Sequence, residues 1–187
     1  NMRDKLIISA SGPDRKGIVS EISSIINQYN GNIETSRMIR LEEQFSILIL
    51  IEIENKNVKK LKNKIESIEN LKIDINTTNS LNEEYKNKFH LYINGADNEG
   101  IVYSFSNYFS KLNINIEEVS TSIKNAPVSA TPLFMMDLII TTSEEINENK
   151  IIKDLNKLSE KLGILSGSLL SLLISFILSF IFFINSS

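Results

Sequence analysis

The feature that most constrains this chain is an internal repeat. Gly12-Pro13-Asp14-Arg15-Lys16-Gly17-Ile18-Val19 returns 83 residues later as Gly95-Ala96-Asp97-Asn98-Glu99-Gly100-Ile101-Val102. The register runs without a gap from Gly12 to Ser36 against Gly95 to Val119, and ten of those 25 positions are identical. Asn30 matches Asn113, and the triplet Asn32-Ile33-Glu34 matches Asn115-Ile116-Glu117. Solenoid repeats have periods of roughly 20–50 residues, so a longer period means two copies of a small domain. In each copy the repeated segment is a loop that opens a helix, and a helix N-terminus suits a carboxylate.

The apolar pattern gives each copy the same order of elements. Leu6 to Ala10 reads as a buried strand, Gly12-Pro13-Asp14 as a turn, and Asp14 as a helix N-cap. Residues 18, 19, 22, 25, 26 and 29 form one helical face. Asn30-Gly31 ends that helix, with Gly31 expected in the left-handed conformation. Asn32 to Leu41 and Phe45 to Ile53 read as strands joined by a turn at residues 42–44. Val58, Leu61, Ile65 and Ile68 mark a second helix, and Ile73 and Ile75 a last strand. The second copy repeats this with a strand from Phe89, a helical face at 101–112, strands at 114–122 and 133–141, and a helix at 151–162. A βαββαβ unit folds most simply as a four-stranded antiparallel sheet with both helices on one face, an α+β, ferredoxin-like architecture. The expected organisation is domain 1 at 1–80, a polar linker at 81–88, domain 2 at 89–164 and a hydrophobic tail at 165–187.

Composition limits the function classes. The net charge of −3 provides no broad field for nucleic acid. All arginines (Arg3, Arg15, Arg37, Arg40) lie in the first 40 residues, a local basic bias only. Cysteine is absent, which removes disulfides, thiol catalysis and thiolate metal sites and fits a reducing, cytoplasmic setting. His90 is the lone histidine, inside a strand pattern, so zinc binding and histidine catalysis are not expected. No glycine-rich loop matches a P-loop or dinucleotide fingerprint. The expectation is a protein without enzymatic activity, metal or cofactor.

Three stretches carry a family resemblance: the Gly12–Val19 loop, Ser36-Arg37-Met38 with Leu41 and Phe45, and Ala126-Pro127-Val128-Ser129-Ala130-Thr131-Pro132-Leu133-Phe134. They resemble tandem ACT domains, the amino-acid-sensing modules of metabolic regulation, and more narrowly the glycine cleavage system transcriptional repressor family. The likeness covers residues 5 to about 163. It implies a non-enzymatic regulator of glycine catabolism genes that contacts a transcriptional activator rather than DNA. Glycine as ligand is implied by the resemblance alone. Formyltetrahydrofolate deformylases carry a similar N-terminal loop, but a second ACT-like unit stands here where their transferase domain would follow.

The candidate ligand-binding residues are Gly12, Pro13, Asp14, Gly17, Ile18, Asn32 and Ile33, with Gly95, Asp97, Gly100, Ile101, Asn115 and Ile116 in the second copy. The first N–H groups of a helix lack internal partners. Gly17 has no Cβ, so a ligand can approach the backbone, or the glycine simply lets helix and sheet pack closely. Asp14 would pair with an α-amino group. Asn32 and Ile33 are expected to line the same pocket, completed where two modules or two chains of a homo-oligomer meet. Glu99, expected in the first turn of the second copy's helix, disfavours an anion there. Arg37, Arg40, Pro127, Ser129 and Pro132 are the candidate partner surface, against the reading of a solvated strand face and a plain long loop.

The tail departs from the family pattern. Residues 168–184 carry no charge, and twenty helical residues would span ~30 Å, the thickness of a bilayer core. Lys150, Lys153, Lys157 and Lys161 precede it, and Ser168, Ser171, Ser175 and Ser179 fall on one helical face. Three readings stand open: a membrane anchor, an aberrant C-terminus, or a last strand at 169–174 followed by a loose remainder. A ligand-free dimerisation module and a membrane-tethered regulator are the rival functions.

Overall fold

The computed structural model describes residues 2–79, 85, 87–96, 99–125, 132–164 and 175–176. The chain divides into two compact units, Asn1–Asn82 and Glu83–Ser187. The first contains β1 (Arg3–Pro13), α1 (Ile18–Gln28), β2 (Asn32–Leu41), β3 (Gln44–Glu54), α2 (Asn55–Glu66) and β4 (Lys72–Thr78). The second contains β5 (Asn87–Ala96), α3 (Ile101–Lys111), β6 (Asn115–Asn125), β7 (Pro132–Thr142), α4 (Glu148–Lys161) and β8 (Ser175–Phe176). Their sheets run β2-β3-β1-β4 and β6-β7-β5-β8, with every pairing antiparallel. Both units have the ferredoxin-like α+β fold expected from the pattern.

Side-chain alternation sets which face of each sheet the helices cover. Phe45, Ile47, Ile49, Ile51 and Ile53 of β3 are buried, as are Leu6, Ile8 and Ala10 of β1. They pack with Ile18, Ile22, Ile25 and Ile26 of α1 and Leu61 and Ile65 of α2 in one core. The second core repeats this with Phe89, Leu91 and Ile93 of β5, Phe105 and Phe109 of α3, and Leu155 of α4. Burying one such side chain stabilises by about 1.5–3 kcal/mol.

Three local expectations are corrected. The strand β1 continues through Gly12 and Pro13, and the chain turns only after them. Pairing of β1 with β4 ends at Ser11, so nothing on that side requires the N–H that Pro13 lacks. The helix stop is Asn30, not Gly31: Asn30 has φ 57° and its repeat partner Asn113 has φ 54°. Asparagine tolerates the left-handed region through its short polar side chain, and it is the residue both copies share. Gly31 is needed for space instead, since a Cβ there would stand 2.8 Å from Ile26 Cγ2.

At the C-terminus, β8 pairs Phe176 with Phe89 and Ser175 with His90 on the edge of β5. These two residues form a strand inside the uncharged stretch for which a spanning helix was one reading. Among the described residues no helix is long and apolar enough to cross a membrane. Residues 165–174 and 177–187, which include the segment expected as a strand at 169–174, lie outside the described residues, as does most of the expected linker.

Candidate functional site

The loop between β1 and α1 is built around Gly17. It occupies the N-cap of α1 at φ 85°, ψ −2°, and Gly100 occupies that of α3 at φ 79°, ψ 9°. A Cβ at either position would meet nothing within 4 Å. Close packing therefore does not explain these glycines. The left-handed backbone requires them, and the space before each is open. Each carbonyl accepts the first helical hydrogen bond, from Glu21 N–H and Ser104 N–H, both at 2.9 Å.

Asp14 does not cap α1, where no side-chain cap is present. Its N–H donates to the Glu43 carbonyl at 2.8 Å, tying the loop to the β2–β3 turn. Its carboxylate lies 3.8 Å from Arg40 Nη1. Register explains this meeting, because Gly12 pairs with Phe45 and Phe45 with Arg40. Arg40, expected on a partner surface, thus borders the loop. Arg15 pairs with Glu21 in the first turn of α1.

Gly12 and Gly95 differ from Gly17 and Gly100. A Cβ on Gly12 would stand 2.3 Å from the Asn70 carbonyl oxygen, and one on Gly95 2.0 Å from Ile164 Cγ2. These two glycines admit the segment that follows the second helix of each unit. Ile18 and Ile101 are buried in the two cores, so their side chains face away from a ligand in the loop. Pro13 is exposed at the end of β1.

Asn32 and Ile33 do not share a pocket with the loop of their own module. Asn32 pairs with Glu52, whereas Gly12 pairs with Phe45. Seven residues along β3 separate those rows, about 24 Å. The helix α1 returns the chain to the end where β1 began, so β2 starts there. Asn115 and Ile116 are likewise remote from Gly95, since they pair with Thr141 and Ile140 while Gly95 pairs with Phe134. Both triplets instead sit at a shift of register, between Ile33 and Thr35 and between Ile116 and Glu118. In the second unit the bulged Glu117 accepts hydrogen bonds from Asn115 Nδ2 at 2.9 Å and Thr141 Oγ1 at 3.0 Å. Partial burial opposes its charge, but these bonds, one from Tyr85 and the Lys88 ammonium hold its carboxyl below the usual range.

The electrostatic contrast expected between the copies reverses. Glu99 precedes the N-cap Gly100 and lies outside α3, whose first turn has no acidic residue, whereas α1 carries Glu21. Arg37 lies on the exposed edge strand β2, and Pro132 is exposed at the start of β7. Asp97, Pro127 and Ser129 lie outside the described residues. His90 pairs with Asp137 on the half-exposed sheet face and meets Tyr92 edge-on at 5.9 Å. Among the described residues no three histidine, cysteine or acidic side chains group to hold a metal.

A sheet backed by two helices, with a glycine at the head of the first helix, occurs in both units. Residues 4–78 match the family model of the ACT domain. The match covers the first unit, and the second unit repeats its fold. The crystal structure of an unknown protein from Galdieria sulphuraria resembles it with a TM-score of 0.75 at 25% identity, over 87% of this chain and 95% of that one. A candidate glycine cleavage system transcriptional repressor aligns with a TM-score of 0.63 at 20% identity, over 87% of this chain and 94% of that one, a likeness of fold. The UPF0237 protein MK1213 of Methanopyrus kandleri is 32% identical over 54 residues, 29% of this chain. This chain spans 60% of that curated relative's length.

Proposed function

We propose that this chain is a regulatory protein without catalytic activity that binds a small amino acid at its ACT loops and passes that state to a protein partner. The observation that carries this reading is the pair of left-handed glycines, Gly17 and Gly100, each opening a helix onto free space. Helix N–H groups there can take an α-carboxylate, and Asp14 can take the α-amino group. Because Asn32–Ile33 lie at the other end of the β2 edge, they complete a site only across an antiparallel meeting with a second chain, which favours a homo-oligomer. Likeness to the repressor family supports glycine as the ligand, and control of amino-acid catabolism genes through a transcriptional activator as the output. Arg37, Pro132 and the 125–132 loop are then the partner surface. Ligand would act by favouring one arrangement of modules and so one partner affinity.

A thermal unfolding screen of the full chain against the common amino acids tests this. Ligand at 100 times Kd adds ~2.7 kcal/mol, a rise of roughly 10–20 °C for a domain of this size. A selective rise that Gly17→Asp abolishes is expected. No rise with any amino acid in folded protein would instead support a ligand-free interaction module. The edge strands β2 and β6 favour that second reading, with exposed Ile39 and Leu41 on one and Val119 and Ile123 on the other.

A further inference from the structure

The helix layer of the first unit contains a cleft. Its volume is about 290 Å³, and it lies between the start of α1 and the turn that follows α2. Ile25 and Ile68, each 7% exposed, form an apolar floor. Arg15, Glu21, Lys64 and Glu69 form the rim. Arg15 and Glu21 neutralise one another. Lys64 and Glu69 leave an ammonium and a carboxylate with no ion-pair partner among the described residues.

The ungapped repeat supplies an internal control. Ser104 and Tyr108 replace Glu21 and Ile25. The Tyr108 hydroxyl donates to Asp154 Oδ2 at 3.3 Å, bridging the two helices where the first unit is open. At the position of Ile25 the second copy has a ring hydrogen-bonded across to α4, whereas the first copy has a cleft with an apolar floor and charges of both signs.

We infer that the α1–α2 cleft of the first unit binds a small zwitterionic amino acid with an aliphatic side chain. Lys64 receives the α-carboxylate, Glu69 the α-ammonium, and Ile25 and Ile68 the side chain. Opposed unpaired charges suit a zwitterion better than a simple anion or cation, because both ends gain a partner. The volume lies at the lower limit of small-molecule sites. The floor gives alanine or valine an advantage over glycine, which has no side chain to bury. The cleft is a second site, distinct from the loop to which the proposed function assigns its ligand, and the inference extends that amino-acid-binding reading.

Calorimetric titration of the full chain with L-valine, L-alanine and glycine tests it. Valine or alanine is expected to bind at least tenfold more tightly than glycine. Lys64→Glu is expected to weaken valine binding tenfold or more, and Ile25→Tyr, which installs the second copy's residue, to abolish it. Circular dichroism of both variants establishes that the fold persists. Valine binding unchanged in Ile25→Tyr and in Lys64→Glu, but lost in Gly17→Asp, would overturn this location and leave the proposed function standing. Absence of binding by all three amino acids would overturn the cleft assignment, and the thermal screen would then decide the broader reading.

Discussion

Glycines at the start of the two repeats fall into two physical kinds, and substitution separates them. At Gly12 any Cβ collides with the Asn70 backbone, so overpacking costs about 1–3 kcal/mol in Gly12→Ala. At Gly17 a Cβ meets open space but the backbone is left-handed, so Gly17→Ala costs about 1–2 kcal/mol through conformation alone. Asparagine discriminates the two causes. This chain already holds Asn30, Asn70 and Asn113 at positive φ. Gly17→Asn should therefore unfold at a higher temperature than Gly17→Ala, whereas Gly12→Asn should be worse than Gly12→Ala. Tyr108 provides a second residue-scale test, in pH. Burial, the Asp154 charge and the hydrogen bond to it push the phenol up to about 12 from its ordinary 10.0. The folded state then holds its proton more tightly than the unfolded state. The stabilisation is complete below pH 10 and disappears as pH rises from 10 to about 12. Melting temperatures measured across that window should fall more steeply for the wild-type chain than for Tyr108→Phe.

Each element was legible where its side-chain period is strong. The core strand β3 and the start of α3 at Ile101 follow from pattern and punctuation, because burial on one face leaves a local imprint. Register leaves no such imprint. Nothing near Arg40 in the sequence signals Asp14, and nothing near Asn32 signals its distance from Gly12, because both follow from how β2 pairs with β3. The cleft of the first unit was equally hidden, since residues 15, 25 and 64–70 meet only in the tertiary fold. The edge strands carry the element-scale prediction. Every residue of β2 is exposed, including Met38, Ile39 and Leu41. An edge with no neighbouring strand among the described residues is a template for another chain. If two chains meet there, Ile39→Lys should shift sedimentation toward the monomer. A surface position away from caps and cores should leave stability within about 0.5 kcal/mol. An unchanged sedimentation profile would remove this edge from the assembly.

Across the whole molecule the repeat has produced two separate cores, each drawing its residues from its own unit. The units differ in how their sheets finish. In the first, β4 pairs with β1 over Lys5 to Ser11. In the second, the described pairing on the same side of β5 is limited to Phe89 and His90. A chain of two such units does not unfold as one cooperative system. Scanning calorimetry should resolve two transitions. Core truncation assigns them: Ile8→Ala should lower one transition and Leu91→Ala the other, each by about 2–5 kcal/mol. Both residues are at most 2% exposed and belong to different cores, so each variant should leave the other transition in place. A single transition that both variants shift equally would mean that the repeats have become one folding unit, and a ligand bound to the first would then stabilise the second as strongly.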